Sequence, residues 1–370
     1  MTQRAIDDLQ LIETSPPAPV KRAAYSDRTA WLMAVLSELS YTRFDQENDS
    51  SILSLAQELA ELTNQELIVE RLRDLAAILG TSGQASPGGR NKLLRECLAA
   101  GGFDLKGILF DAATDTQGYV AVRRPEEGRP GMAVLAFRGT QQIKDWMMNL
   151  DATTVPVSSS GGETLGKVHR GFNEAFLSVR DQIGPLLEGD EELPLFITGH
   201  SLGGALATLA TWYLKGDSLA ACYTFGAPRV GDTGLMDRFR TPIYRIVNGV
   251  DPVPFVPPSD RAVSFAKHAL RLAGTVIGPL ERLANWLIKY QGYRHYGFQR
   301  YLTICAAGPD GDFPGLRLEF AVSPLARIGR VIGRAIRGEF NRGPRVDKYH
   351  NMDLYRVKLR AFAKKRQQQL

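Results

Sequence analysis

Leu193-Pro194-Leu195-Phe196-Ile197-Thr198-Gly199-His200-Ser201-Leu202-Gly203-Gly204-Ala205-Leu206-Ala207 is the stretch whose reading decides the fold. Leu193, Leu195, Phe196 and Ile197 form a short apolar run with the character of a buried strand. After the turn, Leu206, Leu209, Ala210, Tyr213 and Leu214 recur at helical spacing up to a Gly216 stop. Between them lies G-x-S-x-G, from Gly199 to Gly203. A serine at the tip of a tight strand-to-helix turn is a nucleophile elbow. The turn requires small residues because side chains at Gly199 and Gly203 would strike the neighbouring strand and helix. The helix that follows offers free N–H groups and a partial positive charge where negative charge would develop beside Ser201.

A second buried strand, Met132 to Phe137, ends in Arg138-Gly139-Thr140. It pairs with a strand from Gly118 to Arg123 around the turn Glu126 to Gly131. The motifs continue along the chain: F-R-G-T at 137–140, D-W-M-M-N-L at 145–150, V-H-R-G-F at 168–172, G-H-S-L-G-G-A-L-A at 199–207 and F-G-A-P-R-V-G at 225–231. V-N-G-V-D-P-V-P at 247–254 and H-N-M-D-L-Y at 350–355 complete the series. In this content and order the chain resembles the class 3 lipases, whose fold is that of the filamentous-fungal triacylglycerol lipases. The resemblance covers about two thirds of the chain and leaves out the first hundred or so residues and two later stretches. It implies an α/β-hydrolase fold, with a mostly parallel central sheet flanked by helices. It also implies an oxyanion hole built from the Leu202 N–H and from Thr140 in the earlier loop.

A serine nucleophile needs a base, and the base needs a carboxylate to orient it; in this fold they follow in the order Ser, Asp, His. Ile243 to Asn248 reads as a strand running into the turn that holds Asp251. Asp232 and Asp260 are rivals that close no strand. Of the five histidines, His295 and His350 follow Asp251 in suitable places. His295 opens what reads as the last strand, Tyr296 to Ile304, a position that suits a structural histidine. His350 stands in a loop before a helix from Met352 to Ala363, and a loop can aim an imidazole. The resemblance makes the first of these structural and the second catalytic. His200 is expected to point away from Ser201, His169 to pack before a helix, and His268 has no assigned role.

Ile143, Trp146, Met147 and Leu150 share one side of a short helix after Thr140. In the resembled family this helix is a lid over the nucleophile, opening at a lipid surface. The same residues also suit the underside of a fixed helix.

With 370 residues, 44% of them hydrophobic, the chain is long enough for one enlarged catalytic domain. The expected division is an N-terminal helical extension over 1–105 and a catalytic domain over 106–370, with helical inserts near 259–292 and 312–345. Leu32, Val35, Leu36 and Leu39 mark one helix of the extension, and Leu67, Leu72, Leu75 and Leu79 another. In the second insert Arg327, Arg330, Arg334 and Arg337 flank an apolar stripe of Ile328, Val331, Ile332 and Ile336. That pattern suits peripheral contact with an anionic membrane, or equally an ordinary surface helix.

Three cysteines, with Cys222 and Cys305 expected in core strands, imply no disulfide framework. No metal-ligand spacing, dinucleotide fingerprint or nucleic-acid motif is present, so no cofactor, metal or nucleic-acid partner is expected. The N-terminus lacks a basic start followed by an apolar stretch, which sets the expectation of a cytoplasmic or peripheral-membrane protein. Oligomeric state is not legible. The expected function is a serine hydrolase cleaving fatty-acyl esters of glycerolipids. The alternatives are a soluble esterase on small or aromatic acyl esters and a catalytically idle protein that only binds membranes.

Overall fold

A computed structural model describes residues 22–41, 92–127, 130–140, 153–159, 161–214, 216, 218–259, 292–308, 312–320, 322–323, 326, 329–330 and 349–368. In chain order the elements are α1 (Asp27–Leu39), α2 (Lys92–Ala100), β1 (Asp104–Asp111), β2 (Thr116–Arg123), β3 (Met132–Phe137), β4 (Thr154–Ser158) and β5 (Thr164–His169). Then come α3 (Arg170–Leu187), β6 (Leu195–His200), α4 (Leu202–Tyr213), β7 (Leu219–Phe225), β8 (Gly231–Asp232), α5 (Thr233–Met236) and β9 (Ile243–Asn248). The chain closes with β10 (Tyr293–Arg294), β11 (Phe298–Leu302), β12 (Leu318–Phe320) and α6 (Met352–Gln367).

Eight strands form one sheet in the order β1-β2-β3-β6-β7-β9-β11-β12. From β3 to β11 neighbouring strands run parallel, while β1, β2 and β12 add antiparallel edges. The sheet is parallel in the middle because each central strand is joined to the next by a crossover too long for a hairpin. These strands read as near-continuous apolar runs because both of their faces are covered. Alternation along them divides the core. Val134, Ala136, Phe196, Tyr223 and Phe225 face α1, α2 and α6, whereas Leu135, Phe137, Ile197 and Cys222 face α3 and α4. This is the α/β-hydrolase architecture expected from the sequence.

α1 starts where the Ser26 side chain accepts the Thr29 N–H at 3.3 Å, an N-cap, with Asp27 in the first turn complementing the helix dipole. It is apolar nearly all round because it lies between the sheet and α6; Ala30 to Leu36 are buried without a break. Leu32, Val35, Leu36 and Leu39 therefore belong to the main core, and β1 already begins at Asp104. The second expected helix of the extension, Leu67 to Leu79, lies outside the described residues, as does nearly all of the 259–292 insert.

Two expectations are corrected, and one feature is new. The 312–345 insert is not helical from its start: Leu318–Phe320 is strand β12, paired with Arg300–Leu302 at the sheet edge. Cys305 lies in the loop beyond β11, half-buried, rather than in a core strand. A second, four-stranded sheet in the order β10-β8-β5-β4 was not anticipated. Two of its strands are only two residues long, too short to leave a period in the sequence.

Candidate active site

The carboxyl ends of the parallel strands gather the residues singled out above, as open α/β sheets generally do. β6 ends at His200, α4 begins at Leu202, and Ser201 between them has φ +57° and ψ −126°. For a residue with a Cβ this conformation costs on the order of 1–3 kcal/mol and persists only when its surroundings impose it. The surroundings here are backbone. The Ser201 N–H donates to the Phe225 carbonyl at 2.9 Å, and its own carbonyl accepts the Gly204 N–H at 3.0 Å. A Cβ on Gly199 would run into the Gly203 carbonyl, and one on Gly203 into the Phe137 carbonyl. Both glycines are thus required by close approach, as the sequence implied.

Asp251 lies three residues past the end of β9, and His350 precedes α6 by one residue. Both are buried, at 0% and 1% exposure. His350 Nδ1 lies 2.8 Å from Asp251 Oδ2. A carboxylate only accepts, so Nδ1 carries the proton and Nε2 keeps its lone pair. Asp251 is itself held: Oδ1 accepts the Val253 N–H at 2.9 Å, and Oδ2 also accepts the Tyr355 hydroxyl at 2.5 Å. Gly226, the residue after Phe225, packs against this pair. A Cβ there would stand 2.5 Å from Asp251 Oδ2 and 3.0 Å from His350 Cε1. Ser201 Oγ and His350 Nε2 are both buried and have no hydrogen-bond partner among the described residues.

His200 does turn away from Ser201, and it has a task. Its Nε2 donates to the His350 carbonyl at 2.7 Å, so its Nδ1 must accept, and the Tyr41 hydroxyl supplies the proton at 2.8 Å. Burial first, and the nearby His350 second, push the His200 pKa well below the usual imidazole range, in keeping with a neutral ring. Tyr41 was missed by sequence reasoning, because nothing local marks a tyrosine just past α1 as a neighbour of residue 200. It also touches the loop after β3: a Cβ on Gly139 would collide with its hydroxyl and would stand 3.1 Å from Ser201 Cβ. Ser40 secures the same end of α1, donating to the Phe137 carbonyl at 3.3 Å.

Tyr41→Phe leaves His200 Nδ1 without its donor, a loss of about 1–3 kcal/mol for a buried group. It also loosens the His350 backbone. We expect a lower melting temperature and a kcat reduced by about tenfold to a hundredfold, with KM little changed. Thermal melts beside kinetics on a soluble ester check this; unchanged kcat would make Tyr41 a packing residue only.

The loop that follows β3 brings Thr140 to the same edge, and Leu202 stands in the first turn of α4, where N–H groups lack intrahelical acceptors. Arg138, between Phe137 and Gly139, points elsewhere and pairs with Asp115 at 3.1 Å. His295 Nε2 donates to the Pro254 carbonyl at 2.7 Å and so braces the loop after Asp251. Arg229, from the F-G-A-P-R-V-G motif, ties that loop through the Phe255 carbonyl and, at 2.6 Å, the Pro257 carbonyl. His169 caps α3, accepting the Phe172 N–H at 3.3 Å and stacking on the Phe172 ring. Ile143, Trp146, Met147 and Leu150 lie outside the described residues, as do His268, Asp260, Arg327, Arg334 and Arg337. Among the described residues no group of three or more His, Cys, Asp or Glu side chains is arranged to hold a metal ion.

Residues 134–261, from the middle of β3 to just past the Asp251 loop, match the family model described as Lipase (class 3). Over this segment the chain is similar to the class 3 lipases. It is 37% identical over 169 residues to the chloroplastic phospholipase A(1) DAD1 of Arabidopsis thaliana, covering 38% of each chain. Over 138 residues it is 35% identical to the lipase of Rhizomucor miehei, covering 34% of this chain and 37% of that one. The chain thus spans about two fifths of the length of these relatives. A solved lipase from Rhizopus microsporus var. chinensis aligns with 83% of the chain and 85% of its own, at 19% identity and a TM-score of 0.47.

Proposed function

We propose that this chain is a class 3 lipase, a serine carboxylester hydrolase that cleaves fatty-acyl esters of glycerolipids. One observation carries the proposal: the buried Asp251–His350 pair presents an unoccupied Nε2 at the edge where Ser201 holds an unoccupied hydroxyl. His350 Nε2 takes the proton of Ser201 as Oγ attacks the ester carbonyl, and Asp251 steadies the resulting imidazolium. The N–H groups of Leu202 and Thr140 receive the tetrahedral oxyanion. As the intermediate collapses, His350 returns the proton to the departing alcohol and leaves an acyl group on Ser201. His350 then draws a proton from water, whose oxygen attacks the acyl carbon; as the acyl–Oγ bond breaks, His350 hands that proton to Ser201 Oγ and the fatty acid leaves.

Glycerolipid as the substrate class is supported by the names of the similar proteins, a phospholipase A(1) and a lipase. In this proposal residues 141–150 form the lid, with Ile143, Trp146, Met147 and Leu150 on its underside. Contact with anionic membrane would rest on Arg327, Arg334 and Arg337. Arg330 contributes less, because it pairs with Glu319 at 2.8 Å and lies over the Tyr301 ring.

Hydrolysis of triolein, phosphatidylcholine, phosphatidylglycerol and a short nitrophenyl ester, followed across each solubility limit, tests the proposal. A jump in rate once substrate forms droplets or vesicles is expected, with Trp146→Ala blunting it. Faster turnover of phosphatidylglycerol that salt abolishes would place the basic segment on the membrane. Smooth saturation on the short ester alone would instead favour a soluble esterase.

A further inference from the structure

Lys358 lies on the inner side of α6, only 1% exposed. Burying an ammonium group is unfavourable unless acceptors replace its water. Its Nζ donates to Asn248 Oδ1 at 2.8 Å and to the Thr303 carbonyl at 2.9 Å, and stands over the Phe313 ring. Asn248 is the last residue of β9, and its side-chain NH₂ and backbone N–H both lead to the active site. Its Nδ2 donates to the Tyr349 carbonyl at 2.9 Å, next to His350. Its backbone N–H donates to the Tyr355 hydroxyl at 3.1 Å, and that hydroxyl donates to Asp251 Oδ2.

The amide of Asn248 has two possible orientations. With the ammonium beside it, only one is tolerated: Oδ1 toward Lys358 and Nδ2 toward Tyr349. The reverse would set NH₂ against NH₃⁺ and oxygen against a carbonyl oxygen. We propose that Lys358 is a positioning residue for ester hydrolysis, fixing the Asn248 amide so that it holds the Tyr349 carbonyl and thereby the His350 loop. This rests on the function proposed above. Lys358 never touches substrate; it acts through Asn248 on the base.

Two variants separate positioning from mere stability. Lys358→Met keeps most of the side chain's length and its burial but removes the ammonium that holds Asn248 Oδ1, leaving the amide tethered by the Tyr349 carbonyl alone. Asn248→Asp keeps an acceptor for the ammonium and removes the donor to Tyr349. Kinetics on a soluble nitrophenyl ester are normalised to the serine that reacts with an organophosphonate, so unfolded protein does not count. Both variants should lose about tenfold or more in kcat with KM within about twofold. The double variant should lose less than the product of the two, because they break one link. If both keep wild-type kcat per reactive serine and only melt earlier, the positioning role is overturned. A wild-type chain that hydrolyses no ester would overturn the proposed function itself, and this role with it.

Discussion

Replacing Ser201 by alanine is expected to remove ester hydrolysis, and replacing His350 by alanine to lower kcat by about 10⁴-fold or more, since members of a triad act as a unit. Neither change should unfold the protein. Among the described residues Ser201 Oγ makes no hydrogen bond that alanine would lose. Removing the His350 ring still leaves Asp251 with the Val253 N–H and the Tyr355 hydroxyl, and leaves the residue 350 carbonyl for His200. His295→Ala, by contrast, takes away a brace on the Pro254 carbonyl and should lower stability more than turnover. Thermal melts beside kcat on a soluble ester separate the cases. A folded His350→Ala protein that stays active while His295→Ala is dead would exchange their roles.

Asp251→Asn should cost about 10⁴-fold in kcat through the tautomer of His350. The Val253 N–H needs an acceptor, which keeps the amide oxygen at the Oδ1 position and puts NH₂ where Oδ2 accepts now. That NH₂ donates to His350 Nδ1, so the imidazole proton moves to Nε2. A protonated Nε2 accepts nothing from Ser201. The Tyr355 hydroxyl also loses its acceptor, and a modest drop in melting temperature accompanies the loss of rate. Activity within tenfold of wild type would mean that Asp251 does not orient the base.

Ser201 and the strand and helix that frame it were legible because the evidence for them is local. An apolar run, a glycine turn and helical spacing all lie within the stretch from Leu193 to Leu214. Asp251 and His350 needed the order of elements along the chain and the family resemblance, because strand ends and loops alone leave His295 in play. Tyr41, Asn248 and Lys358 left no such trace. Tyr41 meets a residue 159 positions away and Lys358 one 110 away, and no sequence period reports pairings made by the packing of α1 and α6. Arg330 read as one of four lipid-facing cations, but its pairing with Glu319 depends on the short edge strand β12, hidden where a helix was expected.

The nucleophile can be read out directly by exposing the folded chain to a fluorophosphonate and mapping the adduct by peptide mass spectrometry. One adduct on Ser201 is expected, formed rapidly in the wild type and lost in His350→Ala, because only a serine whose proton has somewhere to go attacks phosphorus. A folded wild-type protein that takes no label at Ser201, or one that hydrolyses esters with the label on another residue, would contradict the account.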